Sequence, residues 1–185
     1  ALMTTVAEMK QAAIAAIEKR KEEIIGVAKA ILNAPETGFT EYKTSRLVQQ
    51  RLEAMGVPFQ AGLAITGIKG VVEGKAGPGP SVAIIGELDS IRLFDHPFHD
   101  PATGAAHACG HHCQIASMLG AMVGLMVPKV LQNISGRIIP MAVPAEEFIE
   151  LEQRMALREE KKIEFLGGKQ ELIKLETAFP DLITP

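Results

Sequence analysis

The segment Ser81-Val82-Ala83-Ile84-Ile85-Gly86-Glu87-Leu88-Asp89 starts as an apolar, β-branched run and ends on two carboxylates. Preceded by the turn-forming Gly77-Pro78-Gly79-Pro80, it predicts a strand over 81–88. An apolar stretch follows that predicts a helix over about 111–126, and a second buried strand is expected over 137–143. A strand, a helix and a strand in that order are the parts of a crossover unit. Strands alternating with helices predict an α/β fold whose mostly parallel sheet is flanked by helices. Pro140 cannot donate to a ladder, so its strand is expected at an edge or beside a bulge.

Working outward, Thr5 is placed to cap a long helix whose apolar positions run from Val6 through Ile17 and Ile24 to Ile31. Its charged stretch, Glu18 to Glu23, reads as a solvated face. Asn33-Ala34-Pro35-Glu36-Thr37-Gly38 ends it, and a second helix is expected over 44–56. A strand over 68–73 and two late helices, over 146–161 and 170–177, complete the elements. The glycine-rich stretch 74–80 lacks the spacing and the Ser/Thr of a phosphate loop and reads as a turn. Ala1 and Leu2, ahead of Met3, read as a cloning remnant.

Composition narrows the function classes. A net charge of -3 with no basic cluster argues against nucleic acid or an anionic membrane surface as partner. The longest apolar stretch, 115–127, is shorter than the roughly 18 residues of a membrane span and is stopped by Pro128. Two cysteines four apart, Cys109 and Cys113, do not make a secreted disulfide framework, and no leader pattern opens the chain. The expectation is a cytoplasmic protein.

Three places hold residue types that a core does not favour. Glu87 and Asp89, two apart at a strand end, face the same way. His107-Ala108-Cys109-Gly110-His111-His112-Cys113 stands directly before an apolar helix, and Glu146-Glu147 follows a strand and the turn at Pro144. In open α/β sheets, sites form beyond the carboxyl ends of strands. Thiolate, imidazole and carboxylate together suit a transition metal of the zinc or manganese type. A thiol at a helix N-terminus is expected to have a lowered pKa, which suits Cys109 to ligation. Each piece also has a plain reading. A lone histidine is usually surface, a Glu-Glu pair favourably opens a helix, and Cys113 reads as a small buried apolar residue rather than a ligand.

The segments Pro35-Glu36-Thr37-Gly38-Phe39-Thr40-Glu41, Gly86-Glu87-Leu88-Asp89, His107-Ala108-Cys109-Gly110-His111 and Pro144-Ala145-Glu146-Glu147 together resemble the aminoacylase/carboxypeptidase-type metallohydrolases. That family includes hippurate hydrolase, auxin-conjugate hydrolases and aminobenzoyl-glutamate hydrolase. Of the four segments, His-Ala-Cys-Gly-His and Pro-Ala-Glu-Glu are the specific ones. The resemblance implies a catalytic domain like that of a zinc aminopeptidase. It implies two divalent metal ions, zinc or manganese, with Cys109 bridging them, His111 binding one and Glu147 a further ligand. Glu146 is implied as general base and Asp89 as a carboxylate orienting the ligands. The implied substrates are N-acyl amino acids or small peptide-like amides.

Two departures qualify this. His112 and Gln114 stand where many relatives have Asp and His, which leaves His112 as a pocket residue. No histidine follows His112, whereas the family draws two further histidine ligands from later in its chain. Residues 1–185 are therefore expected to be the N-terminal part of a catalytic domain, without the lid and dimerisation domain or the remaining strands. The alternative to an amidohydrolase part is an inactive remnant that acts only as a metal- or partner-binding module. An interrupted sheet, with Ile115, Leu119 and Val123 lacking partners, is expected to self-associate or to take up a complementary C-terminal half.

Overall fold

The computed structural model describes residues 4–175. Ala1 and Leu2, and the end of the last expected helix at Glu176 and Thr177, lie outside the described residues. In chain order the elements begin with α1 (Val6–Lys19), α2 (Lys21–Leu32) and α3 (Tyr42–Ala54). Strands β1 (Phe59–Leu63), β2 (Gly67–Gly70), β3 (Val72–Glu73), β4 (Ser81–Glu87), β5 (Ile91–Arg92) and β6 (Ala105–Ala106) come next. Then come α4 (His111–Leu125), α5 (Pro128–Leu131), β7 (Arg137–Val143), α6 (Leu151–Glu159) and α7 (Gly168–Lys174).

Thr5 caps α1 as expected, in a reciprocal capping box with Glu8. The single long helix expected there is two helices, broken at Arg20 with no proline or glycine to mark the place. Both halves lie on α4, where Gly124 leaves room for Ile17 and Gly120 for Ile24. The break lets each half keep that contact.

The sheet is α/β in class but not mostly parallel. β4 and β7 pair in parallel through seven successive residue pairs, from Ser81↔Arg137 to Glu87↔Val143. All other pairs among the described residues, β1–β2, β2–β7, β3–β7 and β5–β6, are antiparallel. The cause lies in the connections. Between β4 and β7 the chain passes through α4, which packs on both strands and returns the chain in the same direction. β1 and β2 are joined by a tight turn, which can only reverse it.

β7 is the central strand, flanked by β4 on one side and by β2 and β3 on the other. Pro140 therefore lies mid-sheet rather than at an edge. It is tolerated because the antiparallel pairing stops at Lys69↔Met141 and resumes at Val72↔Ile138, leaving Pro140 opposite the interruption between β2 and β3. Val71 turns its N–H away to the carbonyl of Pro58.

α4 covers one face of this sheet; Ile115 and Leu119 are buried in the main core with Val27, Ile31, Leu52 and Ile138, and Val123 is buried as well. The expected unpartnered helix face is thus not present. Exposed apolar side chains lie instead on β4, at Val82 (57%) and Ile85 (46%). Among the described residues no strand pairs with the other edge of β4. No helix among them is long and apolar enough to cross a membrane.

Candidate metal centre

The carboxyl ends of β4 and β7 lie side by side, since the two strands are parallel and end at paired residues, Glu87 and Val143. Each strand runs straight into polar residues, Glu87-Leu88-Asp89 and Ala145-Glu146-Glu147, and the N-terminus of α4 brings His111 between them. His111 is buried. Its Nδ1 lies 2.8 Å from the backbone carbonyl oxygen of Asp89 and 3.5 Å from Asp89 Oδ1. Its Nε2 faces the other way, 3.0 Å from Glu87 Oε2, 3.8 Å from Glu146 Oε2 and 3.9 Å from Glu147 Oε1.

This is an imidazole with one nitrogen anchored and the other aimed at three carboxylates. Glu87, His111 and Glu146 can bring ligand atoms within 4.8 Å of one another. Burial alone would lower the His111 pKa, but Asp89 and Glu87 outweigh it and raise it to about 9. Asp89 is fully buried, accepts the N–H of Glu147 through Oδ2 at 2.9 Å, and leaves Oδ1 with no hydrogen-bond partner. Among the described residues, His111 and Lys169 ion-pair with these carboxylates, and the charge of buried Arg154 also acts on Asp89 and Glu147. A nitrogen and carboxylate donor set with surplus negative charge fits a divalent cation.

Cys109 stands at the edge of this group, exposed, one residue before the Gly110 cap of α4. The expected lowering of its pKa is not found. A hydrogen bond to the Glu147 carboxylate, then burial, then the charges of Glu147, Glu146 and Asp89 push the thiol up to about 11. The nearby carboxylates outweigh the helix dipole in the protein alone, and a cation beside the sulfur would reverse that balance. Cys113 is exposed rather than buried, lining a groove with Ile24, Ala28 and Ala116. His112 lines the same groove and stacks obliquely on buried His107, ring centroids 5.4 Å apart. Loop histidines His96 and His99 bond within their own loop.

The segment 35–41 is what braces the centre. Glu36 accepts the N–H groups of Lys43 and Thr44, capping α3 from outside the helix. Its carbonyl receives both the N–H and the hydroxyl of Ser90, which ties down the end of β4 beside Asp89. Gly38 packs where a Cβ would strike Ala145. Glu41, which would otherwise cap α3 itself, is turned inward to accept from Thr66 Oγ1 and from Ala145 N.

No family model matches the chain. Over 92 residues the chain is 35% identical to the IAA-amino acid hydrolase ILR1-like 4 of Arabidopsis thaliana, covering 47% of this chain and 20% of that protein. Over 135 residues it is 33% identical to thermostable carboxypeptidase 2 of Saccharolobus solfataricus, covering 71% of this chain and 34% of that one. The chain belongs to the aminoacylase/carboxypeptidase-type metallohydrolase family. The matches span about a third or less of the length of these curated relatives. The fold agrees with that of the Bacillus subtilis YXEP protein, described as a dinuclear metal binding peptidase from the M20 family. The TM-score is 0.62 at 24% identity, over 71% of this chain and 37% of that one.

Against the family pattern, the structure brings His111, Asp89, Glu146 and Glu147 together, with Cys109 at their rim. Three contributors carried no assignment in the sequence. Glu87 shares its face with Asp89 and is the carboxylate nearest His111 Nε2. Lys169 reaches the centre from α7, and nothing in the spacing of the metallohydrolase motifs points to it. Arg154 is buried beneath the Glu146 turn. Its guanidinium donates to the carbonyls of Leu166 and Glu147 and stacks over Phe39. A lone arginine in a charged helix carries no sequence signal of burial.

Proposed function

We propose that residues 1–185 form the metal-binding and general-base part of an amide hydrolase that acts on N-acyl amino acids or small peptide-like amides. The observation that carries this reading is His111, whose Nε2 faces Glu87, Glu146 and Glu147 while Asp89 fixes the opposite side of the ring. A ligating histidine is commonly oriented in this manner by a carbonyl or carboxylate on its second nitrogen. The curated relatives, an IAA-amino acid hydrolase and a carboxypeptidase, support the substrate class.

In this reading His111, Glu147 and, once its proton is lost, Cys109 would hold the divalent ions, zinc or manganese. Asp89 orients His111 and, through the Glu147 N–H, the acidic pair. Bound ions supply Lewis-acid chemistry, polarising an amide carbonyl and making water more acidic. Glu146 is the general base: it takes a proton from the attacking water and passes it to the leaving nitrogen as the C–N bond breaks. Its carboxylate is more exposed than those of Glu87 and Glu147, as a group that meets water and substrate must be.

A two-ion centre needs more ligands than Cys109, His111 and Glu147. The reading therefore takes residues 1–185 as a partial catalytic domain, completed by a C-terminal part, or by self-association, along the open edge of β4. It also takes the protein as cytoplasmic. Calorimetric titration of zinc or manganese into the chain tests the ligand set. Binding is expected, and weaker binding in Cys109→Ala. Unchanged affinity in that variant would remove Cys109 from the centre.

A further inference from the structure

Lys169 enters the centre by a route that is built into the chain. α7 starts at Gly168, whose N–H donates to the carbonyl of Ala145 at 3.1 Å. A Cβ at Gly168 would collide with the carbonyl oxygen of Pro144, so only glycine allows α7 to approach this closely. The approach sets the Lys169 ammonium 2.5 Å from Glu87 Oε1 and 3.5 Å from Glu146 Oε1. These carboxylates are two of the three groups whose ligand atoms converge within 4.8 Å. The ammonium thus places a positive charge among the carboxylates that face His111 Nε2, beside the proposed ligands His111 and Glu147. Its side chain is 44% exposed, and a four-carbon stem leaves it free to swing outward.

Resting on the metal-centre reading, we propose that Lys169 is a built-in competitor for the metal. Its ammonium neutralises Glu87 and Glu146 while no ion is bound and withdraws when one enters, so Lys169 sets the affinity of the centre. Two consequences separate this from a merely structural role. A lysine that only holds the acidic groups in place would, when removed, leave them misplaced and weaken metal binding. A competitor, when removed, strengthens it, because the ion no longer displaces or repels a positive charge within a few ångströms.

The experiment is calorimetric titration of manganese or zinc chloride into the 185-residue chain and its variants. Lys169→Met, and Lys169→Gln as a second neutral form, are checked for native circular dichroism. Both are expected to bind on the order of 10-fold more tightly than the unaltered chain, while Lys169→Arg, which keeps the charge, stays near it. Equal or weaker binding in the neutral variants overturns the proposal. So does absence of binding in every form, since removing a competitor must then have opened nothing. Glu147→Ala run alongside separates the two readings. Undiminished binding there removes Glu147 as a ligand, while the role of Lys169 still stands or falls with the neutral variants.

Discussion

The carboxylate of Glu41 accepts the backbone N–H of Ala145 at 2.7 Å, joining residues 104 apart in sequence immediately before the Glu146-Glu147 pair. Ala145 has a left-handed backbone, φ 47°, which costs energy for a residue with a Cβ and persists only when its surroundings hold it. Glu41 holds the N–H, and Gly168 donates to the carbonyl. Glu41→Ala leaves that N–H and the Thr66 hydroxyl buried without an acceptor. The expected loss is about 2–4 kcal/mol of unfolding free energy, read from urea denaturation. A loss within about 0.5 kcal/mol, the range of an ordinary surface change, would mean that Glu41 braces nothing.

The same residue gives the protein a pH dependence of known sign. Burial, against the hydrogen bonds from Thr66 and Ala145, raises the Glu41 pKa from 4.5 to about 7. Below about pH 4.5 the folded and unfolded states both carry the proton, and above about pH 7 neither does. Between them only the folded state is protonated, so its stability falls as pH rises. The cost of the buried charge is fully expressed above pH 7 and amounts to about 3 kcal/mol. Relative to Glu41→Gln, which has no such titration, the unaltered chain should lose urea resistance steadily from pH 4.5 to 7. A constant difference across that range would contradict it.

Two glycines should respond oppositely to alanine. Gly26 lies within α2 with open space around its Cβ position, so Gly26→Ala should stabilise by about 0.5–1 kcal/mol. Gly168→Ala must push α7 off Pro144 and should destabilise, carrying Lys169 away from Glu87. Thermal melts of the two variants check the signs.

The edge of β4 that no strand among the described residues covers, with exposed Val82 and Ile85 on the strand, leads to an expectation of association. Light scattering at micromolar concentration should show dimers or larger species, and Ile85→Lys should shift them toward monomer. A monomer at the outset would contradict the use of this edge.

Much of the architecture is legible in the sequence because its signals are local. The apolar runs at 81–88 and 137–143 and the capping residue Thr5 point to β4, β7 and α1 without reference to the rest of the chain. Sheet direction is not legible, because it depends on how strands are joined in space, and the short strand β1 carries no clear alternation. At the centre, His111, Glu146 and Glu147 stand out by residue type and position after strands. Glu41, Arg154 and Lys169 do not, because their partners are distant in sequence. The thiol of Cys109 departs from expectation for a related reason. A helix N-terminus can be read from a sequence, but the carboxylates folded against it from β4 and β7 cannot.

Two adjacent glutamates divide the labour of the proposed reaction, one as base and one as ligand. In a longer protein that carries this segment, or in this chain joined by a complementary C-terminal part, Glu146→Ala should retain metal and lose turnover. The loss should be about 10²–10⁴-fold, the contribution of a positioned base. Glu147→Ala should lose metal and rate together. The measurement is metal content beside the initial rate of hydrolysis of an N-acyl amino acid for both variants. A fast Glu146→Ala beside a slow Glu147→Ala that keeps its metal would reverse the two roles, and two fast variants would leave the Glu-Glu pair with no part in catalysis.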